Sequence, residues 1–85
     1  KNASPMQVSV YPNPVSSGRL TVTTSGAGTP DVTVYNLLGR KVNVHILNKG
    51  IEGEMDLDVS RLPAGVYLIS VRKKEEEQLL RFVVH

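Results

Sequence analysis

A chain of 85 residues without cysteine has room for one small domain and no disulfide to staple it. Ten Lys and Arg against eight Asp and Glu leave a net charge of +2, too balanced for a nucleic-acid reader. No apolar run approaches the roughly 20 residues of a membrane-spanning helix, so a soluble domain without direct membrane insertion is expected.

The opening Lys1-Asn2-Ala3-Ser4 carries neither an initiator methionine nor an apolar leader. A single domain over residues 1–85, excised from a longer secreted protein, is expected, with residues 1–6 as a linker remnant. Met6-Gln7-Val8-Ser9-Val10 then alternates apolar with polar up to Tyr11, the period of a strand covered on one face. Pro12-Asn13-Pro14 must stop that strand, since the prolines remove two backbone donors and exclude Asn13 from the helical region. Leu20-Thr21-Val22-Thr23 alternates again, and Ser25 to Pro30 makes a flexible connection. Val32-Thr33-Val34 runs on to Leu37 and Leu38, and Gly39 supplies the positive φ of a reversal.

Val42-Asn43-Val44-His45-Ile46 predicts one strand, and the loop from Asn48 to Gly53 leads into Met55-Asp56-Leu57-Asp58-Val59. Leu62-Pro63-Ala64-Gly65 fits a type I turn, with proline second and glycine fourth. Val66 to Val71 is apolar on both faces, the mark of a central and more fully covered strand. Arg72-Lys73-Lys74 followed by Glu75-Glu76-Glu77 neutralises itself and is expected as a solvated hairpin tip. In the last strand Leu80, Phe82 and Val84 share one face, and Leu79, Arg81 and Val83 the other. About seven short strands at this spacing predict an all-β antiparallel sandwich.

Catalytic and metal chemistry find little footing. His45 and His85 have no thiol and no third ligand arranged beside them, so no metal is expected. Glu52, Glu54, Asp56 and Asp58 share one parity, an acidic row that fits a solvated outer face better than a calcium loop with its glycine-pinned spacing. The serines lack a neighbouring histidine base, and the glycines are scattered turn residues rather than a phosphate cradle. Tyr11 and Tyr35 are the outward aromatics by parity, too few for a sugar platform. The expectation is no cofactor and no enzyme.

Three segments carry more information. Val10-Tyr11-Pro12-Asn13-Pro14 with Gly18, Tyr35-Asn36-Leu37-Leu38-Gly39-Arg40-Lys41-Val42, and Leu57-Asp58-Val59 through Leu62-Pro63-Ala64-Gly65-Val66-Tyr67-Leu68 follow one another in this order. With the final Arg81-Phe82-Val83-Val84-His85 they resemble the C-terminal sorting domain of the type IX (Por) secretion system of Bacteroidetes. The resemblance implies an immunoglobulin-like β-sandwich that directs an N-terminal cargo domain across the outer membrane through the type IX translocon and outer-membrane shuttle proteins. It implies a surface sortase that removes the domain and joins the cargo to lipopolysaccharide, with passage through the periplasm to the cell surface or medium. It also implies that Tyr11, Pro12, Asn13, Pro14, Gly39, Pro63 and Gly65 are motif positions, and that the segment from Leu62 onward carries most of the signal. Sortase cleavage is implied near Lys1 to Met6.

The bottom-up reading of the motif residues is structural: they are turn residues that set strand register. For Leu79, Leu80, Arg81, Phe82, Val83, Val84 and His85 the expected role is recognition by translocon and sortase. The terminal strand would lie at or near a sheet edge and pair with a receptor strand, with Arg81 and the His85 carboxylate adding orientation. Family members often end in lysine, where this chain has His85. Two other readings compete: a passive accessory sandwich that spaces domains or binds carbohydrate, and a calcium-stabilised adhesion module built on Glu52 to Asp58.

Overall fold

In the computed structural model, which describes residues 6–26, 28–48 and 53–85, the alternating segments become strands, with no helix among the described residues. They are β1 (Val8–Tyr11), β2 (Arg19–Thr24), β3 (Asp31–Tyr35), β4 (Lys41–Val42), β5 (His45–Asn48), β6 (Glu54–Asp58), β7 (Gly65–Lys73) and β8 (Glu76–Val84). Two four-stranded sheets form, ordered β1-β2-β6-β5 and β4-β3-β7-β8, and adjacent strands pair antiparallel. Leu20, Val22, Met55 and Leu57 of the first sheet are buried with Val34, Ile69, Val71 and Phe82 of the second. Each such side chain contributes about 1.5–3 kcal/mol by leaving water, which is how a small domain without disulfides holds together.

The β7–β8 hairpin is the longest pairing, in register from Gly65↔Val84 to Lys73↔Glu76. The charged stretch expected as a loop is mostly strand: only Lys74 and Glu75 make the turn, Lys74 at φ 55°. Arg72 faces Glu77 across the strands at 3.9 Å, while Lys73 donates to the Ser25 and Gly26 carbonyls and Glu76 accepts the Met6 N–H, so these charges have partners instead of lying free in a tip.

Three further local expectations differ from the fold. The segment Val42 to Ile46 is not one strand: β4 belongs to the second sheet and β5 to the first. Alternation is satisfied by either sheet, so a strand that changes sheets keeps its pattern while its partners change. The hydrogen-bonded turn before β7 lies at Val59–Leu62 (Leu62 N–H to Val59 carbonyl, 3.1 Å), three residues earlier than expected, and Gly65 opens β7. There the Asp58 side chain receives the Ser60 N–H at 3.0 Å and takes the reversal upon itself. β7 is central in its sheet, yet Val66 and Leu68 on its outer face are only half-buried, screened by β3 and β8 rather than by another layer.

Candidate recognition end of the sandwich

The first motif strap begins where the prolines end β1. Tyr11-Pro12 and Asn13-Pro14 are both cis, and the chain crosses from the first sheet to the outer edge of β8. Val15 N–H donates to the Val83 carbonyl at 2.7 Å, His85 N–H donates to the Val15 carbonyl at 2.8 Å, and Val15 bridges Val84 in parallel. Asn13 extends the strap with its side chain: Oδ1 accepts the Val83 N–H at 3.0 Å and Nδ2 donates to the Arg81 carbonyl at 3.2 Å. The terminal strand is therefore at a sheet edge and docked, with β7 on one side and Asn13 to Val15 on the other. By the two-residue period, the backbone groups of Glu77 and Leu79 face the same edge beyond the strap.

Side chains of the terminal strand divide by parity. Phe82 and Val84 are buried and Leu80 half-buried on the inner face, while Leu79, Arg81 and His85 are exposed and Val83 is half-exposed. The Phe82 ring stacks on Tyr67 with centroids 5.6 Å apart. Tyr67 donates its hydroxyl to the Pro63 carbonyl at 2.6 Å, a tie from the start of β7 back to the preceding corner, as recurs in immunoglobulin-like sandwiches. Pro63 acts here through its carbonyl position.

The third motif element is the β3–β4 reversal. Asn36 N–H donates to the Arg40 carbonyl at 2.9 Å and Gly39 N–H to the Asn36 carbonyl at 3.0 Å. The Asn36 side-chain oxygen accepts Leu38 N–H at 2.9 Å and Arg40 N–H at 3.0 Å. Gly39 takes φ +84°, as the sequence required of it. Leu37 and Leu38 are left 66% and 82% exposed at the tip.

All these elements share one end of the molecule. β1, β3, β6 and β8 finish there, and β2, β4, β5 and β7 start there, as the registers require. Along that end of the second sheet the order is the Asn36–Arg40 turn, Pro63 to Gly65 entering β7, Val84 and His85 leaving β8, then Asn13 to Val15. Motif positions dispersed over the sequence thus become neighbours in one row. Met6 lies at the opposite end, its N–H donating to Glu76 Oε1 at 2.8 Å and its carbonyl accepting from Gln78 Nε2.

Charge follows the same division. Among the described residues, the motif end carries Arg19, Arg40, Lys41, Arg61 and Arg81 against Asp56 and Asp58. The opposite end carries Asp31, Glu54, Glu75, Glu76 and Glu77 against Arg72, Lys73 and Lys74. The near-neutral total hides this dipolar arrangement.

Of the acidic row, Glu52 lies outside the described residues. Asp56 accepts the Thr21 hydroxyl at 2.7 Å, and Asp58 accepts both the N–H and the hydroxyl of Ser60, at 3.0 and 2.6 Å. The Ser60 hydroxyl and backbone bonds hold the Asp58 carboxyl below its usual range, with a smaller pull from His45, its cross-strand neighbour. His45 and His85 are both exposed. Tyr11 is 47% exposed and Tyr35 half-buried. Asn36 and Val15, central to the row, were not singled out by sequence reasoning. The signal for Asn36 was present, an asparagine three residues before a turn glycine.

The architecture and its strapped terminal strand define an immunoglobulin-like β-sandwich whose assembled features are turns and a strand edge. Residues 9–85 match the model of the secretion system C-terminal sorting domain, and the chain belongs to that family, the C-terminal sorting domains of type IX secretion, which is a family of export signals and not of enzymes. Comparison with curated proteins gives no match.

Proposed function

We propose that the motif end of this sandwich is read by the type IX translocon and its outer-membrane shuttle proteins, while the cargo domain hangs from the opposite end. The observation that carries this reading is the assembly of Asn13, Gly39, Pro63, Gly65 and the end of β8 in one row, far from Met6. A signal at the free end leaves the cargo clear of the receptor during passage through the periplasm.

Within the terminal strand, Phe82, Val84 and Leu80 anchor the signal in the core, and Leu79, Arg81 and His85 present it outward. A receptor strand adds to β8 beside Glu77 and Leu79, where edge groups remain uncovered by the strap. After translocation a surface sortase cuts near the segment preceding Met6 and transfers the cargo to lipopolysaccharide, and the domain is discarded. Lys1 to Pro5 lie outside the described residues.

The test is export of a fluorescent reporter carrying this chain at its C-terminus, in a Bacteroidetes host with and without a working translocon. Translocon-dependent arrival at the surface or in the medium is expected. Retention in the periplasm of both hosts would return the chain to the accessory-module reading.

A further inference from the structure

We propose that the Leu37–Leu38 tip is an apolar anchor that seats end-on in a hydrophobic socket with an acidic rim, on a protein of the export machinery. This rests on the sorting reading above and names the chemistry of its partner.

Folding does not ask for leucine at either position. At 66% and 82% exposure the two side chains stay mostly in water and outside the core, and polar turn residues would close the same reversal. Yet the backbone beneath them is held by four hydrogen bonds, all of which involve Asn36. Gly39 at φ +84° has nothing within 4 Å of where a Cβ would lie, so it is there for its conformation and not for packing. A tip whose geometry is fixed and whose side chains are unused by the fold is shaped for something outside it. Two pre-oriented leucines lose little freedom on docking, which is how small anchors come to dominate an interface.

Rigidity also decides between a protein and a lipid surface. A bilayer accepts apolar side chains in any orientation and is held by a broad apolar face. Two leucines are a narrow face, and fixing their geometry gains nothing in a fluid. A protein socket rewards fixed geometry. Its rim is acidic, because Arg40 and Lys41 flank the tip and Arg61 and Arg81 share its end, against Asp56 and Asp58, which are already bonded to Thr21 and Ser60. The other adjacent pair of exposed aliphatic residues, Ile46 and Leu47 on β5, is less exposed, at 49% and 48%, and lies along a strand paired with β6 rather than at a projecting tip.

The experiment uses the reporter fusion with the wild-type chain, Leu37→Ser/Leu38→Ser, Leu37→Met/Leu38→Met and Asn36→Ala. Melting of each purified fusion is measured beside translocon-dependent surface signal. The double serine variant is expected to melt like wild type and to export about tenfold less, the double methionine variant to regain most of the signal, and Asn36→Ala to lose part of it with both leucines intact. Wild-type export matched by the double serine variant overturns the anchor and leaves the sorting reading standing; failure of the wild type itself overturns both. Flotation with phosphatidylglycerol vesicles supplies the second arm. Binding that requires Leu37 and Leu38 would assign the tip to lipid and overturn the protein socket, whereas no flotation supports it.

Discussion

Asn13 stands in for a β-strand beside Val83: its side-chain oxygen takes the Val83 N–H at 3.0 Å while its amide nitrogen reaches the Arg81 carbonyl at 3.2 Å. One amide side chain thus covers part of an edge that would otherwise be open to another chain. Replacing Asn13 by Ala removes two solvent-exposed hydrogen bonds and is expected to lower stability by about 1 kcal/mol. Urea unfolding measures the loss. Hydrogen exchange at the Val83 amide should quicken more than at the Ile69 amide, and equal acceleration at both would mean that Asn13 is not a local strap.

Glycine positions should separate by what surrounds them. A Cβ on Gly53 would lie 2.6 Å from the Thr24 carbonyl oxygen at φ +85°, whereas Gly39 at φ +84° has open space. Gly53→Ala therefore combines backbone strain with a clash against main chain and is expected to cost about 3 kcal/mol, against about 1 for Gly39→Ala. Thermal melts of the two variants test the ranking, and a Gly39→Ala protein as damaged as Gly53→Ala would refute it.

The tie from Tyr67 to Pro63 can be weighed alone. Tyr67→Phe keeps the ring stacked on Phe82 and deletes only the 2.6 Å hydrogen bond. A loss of about 1 kcal/mol is expected, which for a domain of this size shifts Tm by roughly 4–8 °C. Phe82→Ala removes a fully buried ring and should cost about 3–5 kcal/mol, so deleting Phe82 to His85 would unfold the domain as well as remove a signal. Export tests of the terminal strand are therefore cleaner with Leu79→Ser and Arg81→Ser, whose side chains are exposed.

Acid sensitivity should report on Asp58. Hydrogen bonds from the Ser60 hydroxyl and N–H hold its folded pKa below the ordinary 3.8, so the folded state favours the ionised form. The stability this provides is present above 3.8 and is lost as pH falls through the lower folded value. Asp58→Asn cannot titrate, so the gap in Tm between wild type and variant should narrow as pH drops below 3.8. A gap that stays constant down to complete acid unfolding would show that the turn does not depend on the charge.

Much of this architecture was legible because side-chain period and backbone restriction are local properties. Alternation marked Leu20 and Val22, Met55 and Leu57, and Phe82 and Val84 as core pairs, and the motif residues pointed to the sorting-domain family. Where the pattern failed, a non-local partner had decided. Val42 to Ile46 keeps its alternation while passing between sheets, because a half-buried valine meets the shared core from either side. Arg72, Lys73, Glu76 and Glu77 look like loop when taken singly and become strand when the hairpin pairs them, Arg72 with Glu77 across the strands, Lys73 with the Ser25 and Gly26 carbonyls and Glu76 with the Met6 N–H.

The sequence by itself determined that the chain makes strands, that the first stops at Pro12 and which faces are apolar, since these follow from proline and a two-residue period. It could not place Asn13 against Val83 across 70 positions, nor align the Asn36 turn with the end of β8. Hydrogen bonds between distant backbone segments depend on how two sheets stack and where one strand crosses between them. That assembly, together with the separation of basic from acidic ends hidden in a net charge of +2, was decided only by the tertiary structure.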